Sequence, residues 1–290
     1  MKWNRVEGAG DMVDARGSGR GRGAAVGAGG LGIGGVIVVL LLQALTGVQF
    51  DIPNELDGGS SVGSGSVGYP SSPEEDELAA FTNAVSVENQ DMWTSVFQSN
   101  GKTYERAKVV RFSRGVSTGC GEATSATGPF YCPADQRVYL DMSFYAEMRE
   151  QLGADGDFAW AYVVAHELGH HVQNLTGVFD ATQKQEREDP GSADGAQGLS
   201  VRTELQADCY AGVWAHAAFK AGELVEGDLD EAFGAAEAVG DDRLQSQGGR
   251  GTVLPDTFTH GTSTQRRTWF TKGYTDGTPA VCDTFSPDQV

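Results

Sequence analysis

The sharpest hydropathy contrast in the chain lies near its start. No charged residue occurs from Gly23 to Phe50, and the most apolar part of that run is Leu31 to Leu45. A helix needs about 20 apolar residues to cross a bilayer, so residues 23–50 predict a single transmembrane helix acting as an uncleaved signal anchor. The sequence then turns to Gly, Ser and Pro with little to bury. Residues 51–77 read as a flexible linker that closes on Glu74, Glu75, Asp76 and Glu77. Residues 78–290 carry the mixed pattern of a folded domain. Within it, Phe158, Tyr162, Val163, Ala165, Leu168 and Val172 recur at helical spacing. Asp155 or Asp157 is placed to cap that helix and Gly177 to end it. A second helix reads over 199–221 and stops at Gly222.

Charge adds direction to this layout. The net formal charge is -19, which repels nucleic-acid phosphates and argues against a nucleic acid partner. Residues 1–22 hold five basic and three acidic groups, leaving 16 basic and 37 acidic beyond them. Arg16, Arg20 and Arg22 precede the apolar run, and Asp51 and Glu55 follow it. The positive-inside rule then makes residues 1–22 a cytoplasmic tail and puts the domain outside the cell membrane. The four cysteines agree with an oxidising compartment. Cys120 and Cys132 enclose a short loop that suits a local disulfide, which leaves Cys209 with Cys282. No C-x-x-C spacing points to a cysteine metal site.

The first helix contains His166-Glu167-Leu168-Gly169-His170. Residues four apart share a helical face, so His166 and His170 can point ring nitrogens at one Zn2+ ion. Glu167 is not a ligand in this geometry, but it can take a proton from water at the metal. His171 is turned about 100° from His170 and reads as a packing or surface residue. A catalytic zinc needs a third protein ligand. Thr176 and Gln173 stand where a metzincin would have its third His and its Gly, which excludes that class. On the second helix, Glu204 and Asp208 share a face. Glu204 can supply the third ligand, and Asp208 can accept a hydrogen bond from the outer nitrogen of a ligand His. His216 lies about 120° round that helix from Glu204 and reads as structural.

The stretches GKTYERAKVV, LGADGDFAWAYVVAHELGHHVQ, ELQADCYAGVW, GDDRLQ and FTHGTSTQRRTWF resemble the bacterial family of neutral zinc metallopeptidases that carry one N-terminal transmembrane anchor. The core also resembles gluzincins, in which H-E-x-x-H is joined by E-x-x-x-D. That resemblance implies Glu204 as third ligand and Asp208 as its supporting carboxylate. Thr259-His260-Gly261 followed by Arg266 resembles a T-H-P-x-x-x-x-R stretch of membrane gluzincins, with Gly261 in place of Pro. His260 or Arg266 is then the donor for the oxyanion formed during peptide hydrolysis, with Tyr274 as a weaker candidate, and Arg266 is otherwise placed with Asp208 in support of the ligands.

The expectation is an α+β, mainly α, zincin-like metallopeptidase domain behind one transmembrane helix. It would hold one Zn2+ per chain, act on peptide or protein substrates and touch the bilayer through residues 23–50. Two rivals stand beside it. One is a catalytically silent zinc-containing envelope protein that binds a partner. The other is a zinc hydrolase acting on a different amide.

Overall fold

A computed structural model describes residues 1–6, 10–16, 72–113, 115–247, 253–286 and 290. Its architecture is α+β and mainly helical. The predicted transmembrane run 23–50 and most of the predicted linker lie outside the described residues. Among the described residues, no helix is long and apolar enough to cross a membrane.

The first helix of the domain, α1 (Pro73–Ser99), starts inside the stretch read as linker. Ser72 and Glu75 form a reciprocal capping box, Pro73 occupies the first turn, and the acidic run sits where the helix dipole favours negative charge. The charges that looked like a linker end are thus a helix start. Among the described residues, six strands follow or precede it: β1 (Met12–Asp14), β2 (Lys108–Phe112), β3 (Gly115–Thr118), β4 (Gly121–Thr124), β5 (Phe130–Cys132) and β6 (Arg137–Asp141). The main sheet runs β1-β2-β6-β5, with β1, β2 and β6 parallel and β5 antiparallel to β6. A separate hairpin pairs β3 with β4.

The remaining helices are α2 (Phe144–Glu150), α3 (Asp157–Thr176), α4 (Val178–Glu188), α5 (Leu199–Ala221), α6 (Asp228–Ala238), α7 (Asp241–Gln247) and α8 (Ser263–Asp276). The predicted spans of α3 and α5 agree with the structure, and Gly177 and Gly222 close them in the left-handed conformation. The predicted aspartate cap of α3 does not form. Gly156 occupies that position, and the Phe158 N–H is met by Glu231 Oε2 at 2.9 Å from α6. A partner 73 residues away leaves no local signal.

Two interior features set the site. Phe158, Trp160 and Leu168 of α3 are fully buried with Trp214 of α5, so both helices are central rather than peripheral. Helices α5 and α8 approach backbone to backbone. A Cβ at Gly212 would lie 2.1 Å from the Phe270 carbonyl, and one at Gly273 would lie 2.0 Å from the Cys209 carbonyl. The disulfides Cys120–Cys132 and Cys209–Cys282 are both present, as expected.

The described part of residues 1–16 packs on the domain. β1 pairs with β2 in the register Met12↔Val109 to Asp14↔Arg111. Trp3 packs edge-on against Phe81 at 5.5 Å between centroids. A three-residue strand pairing with one nearly a hundred positions away is too short for alternation to betray it.

Candidate metal centre

Helix α3 presents His166, Glu167 and His170 towards the face of α5 that carries Glu204 and Asp208. Gly169 lets the helices close, since a Cβ there would lie 3.1 Å from the Ala207 carbonyl. His166 Nε2 lies 3.1 Å from Glu204 Oε2, and His170 Nε2 lies 3.5 Å from Glu204 Oε1. Ligand atoms of the three residues all fall within 4.8 Å of one another. Tetrahedral zinc with ligands at about 2.0–2.1 Å has ligand-to-ligand edges of about 3.3 Å, so the donor set fits that ion in both chemistry and spacing.

The outer nitrogens of both rings are held. His166 Nδ1 meets Asp208 Oδ1 at 2.9 Å, and His170 Nδ1 meets Gln173 Oε1 at 2.8 Å. A carboxylate and an amide oxygen only accept, so each Nδ1 carries the hydrogen and each Nε2 faces inward. Asp208 is fully buried and also accepts from the Tyr162 hydroxyl, from Arg266 Nε at 2.8 Å and from Arg266 Nη2 at 2.9 Å. Gln173 is itself fixed: its Nε2 donates to the Thr203 carbonyl at 2.7 Å and to Gln206 Oε1 at 3.1 Å. Gln206 Nε2 in turn donates to the Cys282 carbonyl at 2.9 Å, beside the second disulfide.

Charge distribution follows this wiring. Burial pulls the His166 ring down, but Asp208 and Glu204 more than reverse that and push it up to about 10. Burial lowers His170 to about 4, against the pull of Glu204. Burial alone would raise Glu204 too, yet the two imidazoles facing it hold it well below the usual carboxylate range. A divalent ion bound here therefore takes the place of the His166 proton. Glu167 is driven the other way. Burial first, then the Glu204 charge, lift it to about 7, opposed by His166 and by a hydrogen bond from the Tyr131 backbone.

The remaining expected residues divide. His260 is buried, and its Nδ1 lies 3.0 Å from Asp241 Oδ1 at the start of α7. The other oxygen of Asp241 accepts the backbone N–H of Thr259, His260 and Gly261, which clamps the loop. His260 lies within electrostatic reach of Glu204. Arg266 is in the cluster, but its guanidinium grips Asp208 and lies 3.9 Å from Glu204 Oε2. A fork so engaged does not serve as an oxyanion donor, because turning it would strip Asp208 of its partner. Tyr274 packs its ring with His216 and Phe219, and His216 Nδ1 bonds the Tyr274 carbonyl at 2.7 Å, so both act structurally. His171 is a packing residue: Nε2 meets the Glu105 carbonyl and Nδ1 the Tyr131 hydroxyl at 3.0 Å.

Sequence reasoning missed Tyr162, Gln173 and Asp241. Tyr162 and Gln173 stand four before His166 and three after His170, on the faces that carry those ligands. That spacing was a usable signal. Asp241 had none, because a loop contact brings it to His260.

The model of the family described as "Putative neutral zinc metallopeptidase" matches residues 1–285. The Escherichia coli (strain K12) protein named "Uncharacterized protein YpfJ" is 52% identical over 214 residues, covering 74% of this chain and 74% of that protein. A protein of Mycobacterium tuberculosis (strain ATCC 25618 / H37Rv) is 49% identical over 194 residues, covering 63% of this chain and 64% of its own length. No solved structure matches the chain.

Proposed function

The chain belongs to this family of neutral zinc metallopeptidases, and on that premise we propose that it is a membrane-anchored, zinc-dependent peptidase acting outside the cytoplasm. The observation that carries the proposal is the His166–His170–Glu204 cluster, with both Nε2 atoms turned inward by fixed partners. A site built only to stabilise the fold would have no use for a nearby carboxylate held close to neutral pKa. The uncharged run 23–50 supports the anchor, and two disulfides support an oxidising compartment.

His166, His170 and Glu204 would hold the zinc, which supplies a Lewis acid that acidifies water and polarises a peptide carbonyl. Glu167, a buried carboxylate beside the cluster, accepts the proton of the attacking water and returns it to the leaving amine. His260, oriented by Asp241 and within electrostatic reach of Glu204, donates to the carbonyl oxygen as negative charge builds on it. Asp208, Tyr162 and Arg266 keep His166 in one tautomer and one orientation.

Zinc content and casein cleavage, measured together on the full-length chain and two variants, test this. The full chain is required because β1 lies outside residues 78–290. One zinc per chain is expected, lost with activity in Glu204→Ala. Glu167→Gln should keep zinc and lose about 10²–10⁴-fold in rate. Equal zinc in Glu204→Ala would displace Glu204 as ligand. Zinc without cleavage in the unaltered chain would favour the silent envelope protein.

A further inference from the structure

We propose that Gln206 and the Cys209–Cys282 disulfide position the ligand His170, so that this disulfide strengthens zinc binding as well as closing the fold. The proposal rests on the zinc reading above and adds to it a covalent brace behind one ligand.

A metal-bound imidazole keeps one tautomer and one orientation when its outer nitrogen is held. For His166 the holder is Asp208, itself gripped by Arg266. For His170 the holder is neutral, Gln173 Oε1 at 2.8 Å. A carboxamide can face either way, and its other contacts decide which end meets the ring. Gln173 is fully buried, and its Nε2 donates to two oxygens of α5, the Thr203 carbonyl at 2.7 Å and Gln206 Oε1 at 3.1 Å. Gln206 is a second buried carboxamide with the same ambiguity. Its Nε2 donates to the Cys282 carbonyl at 2.9 Å. A carbonyl only accepts, so Nε2 must lie on that side and Oε1 must face Gln173. The direction of each bond is thus passed from the Cys282 carbonyl through Gln206 and Gln173 to His170 Nδ1–H, which leaves His170 Nε2 for the metal.

The far end of this relay is the C-terminal segment, and it is fixed on both sides of Gln206. Cys282 is joined to Cys209, just beyond Gln206 on α5, with 5.6 Å between the Cα atoms. Thr284 is fully buried and donates its hydroxyl to the carbonyl of Arg202, just before Gln206, at 2.7 Å. Arg202 Nη1 donates back to the Thr284 carbonyl. The segment therefore runs back along α5 from Cys209 to Arg202, over the turn that carries Glu204 and Gln206. The disulfide is the covalent hold on the residue whose carbonyl starts the relay. Both carboxamides are buried, so a partner lost from the relay is not replaced by bulk water.

Chelator competition on the purified full-length chain, beside urea unfolding of the same proteins, tests this. Gln206→Met fills similar space and removes both amide contacts. It should weaken zinc binding by about 10-fold, the lower end for partners of a metal ligand, because Thr203 still holds Gln173. Cys209→Ala with Cys282→Ala should weaken it by a similar factor. In a Gln173→Ala background both changes should lose their effect on zinc, because the relay is already cut. A general loosening of the fold would instead lower zinc affinity as much there as in the natural background. Unchanged affinity in Gln206→Met, or an equal drop in the Gln173→Ala background, would overturn the proposal. Where the alanine pair fails to fold, Gln206→Met decides by itself, since it cuts the link between the disulfide and His170. Absence of zinc from the unaltered chain is a different result: it would remove the zinc reading, and this proposal with it.

Discussion

Arg266 and Asp208, 58 residues apart in the chain, form a two-pronged ion pair in the interior, Nε to Oδ2 at 2.8 Å and Nη2 to Oδ1 at 2.9 Å. Burial would raise the Asp208 pKa, but Arg266, then His166, hold it at about 2. The carboxylate stays charged at neutral pH, and it can steady the His166 ring. Arg266→Met leaves that charge buried without its fork. The expected loss is about 3–5 kcal/mol in urea unfolding. Arg266→Lys cannot rebuild the fork and should recover only part of it. A loss below about 1 kcal/mol would show that Asp208 finds compensation elsewhere.

Gln173 is predicted to set zinc affinity through His170. Gln173→Ala removes the acceptor from His170 Nδ1 and leaves the ring free to turn. Chelator competition should show zinc binding weakened by about 10–100-fold. Gln173→Glu keeps an acceptor there and should weaken binding less. Unchanged affinity in Gln173→Ala would mean that packing alone holds the ring.

His260 and Asp241 should act on rate and leave zinc in place. His260→Ala is expected to lower kcat by about 10²–10³-fold with one zinc still bound. Asp241→Asn should also lower kcat, and it should loosen the loop, since Asp241 Oδ2 takes three backbone N–H groups. Loss of zinc from His260→Ala would make that residue a ligand instead.

Glu88, on α1, gives a pH-dependent handle on stability away from the site. Burial first, then Glu223 and Asp91, raise it from 4.5 to about 7, and its Oε2 has no hydrogen-bond partner among the described residues. The folded chain therefore binds this proton more tightly than the unfolded chain. The stabilisation is complete below about pH 4.5 and is lost as pH rises towards 7. Glu88→Gln should thus gain stability relative to the unaltered protein between pH 5 and pH 8. With the group only half-buried, the gain is on the order of 1 kcal/mol. Urea midpoints at the two pH values measure it, and an equal difference at both would count against the assignment.

How much was legible depended on sequence distance. The spans of α3 and α5, their closing glycines, the His166–Glu167–His170 set and the Glu204–Asp208 pair could all be read locally. Helical periodicity places residues three or four apart on one face whatever surrounds them. The short loop between Cys120 and Cys132 made a local disulfide plausible, but four cysteines allow three pairings and only the fold chose among them. What no window of sequence could hold was decided by packing. The small residues Gly169, Gly212 and Gly273 let α3, α5 and α8 approach, and that approach seats the Arg266 fork on Asp208, a pairing 58 residues apart in the chain. The same holds for Asp241 beside His260, for Glu231 at the start of α3, and for the strand Met12–Asp14 beside Val109. Each is a polar or backbone group whose partner lies far along the chain. Burial requires that such groups be matched, but it does not say with which residue.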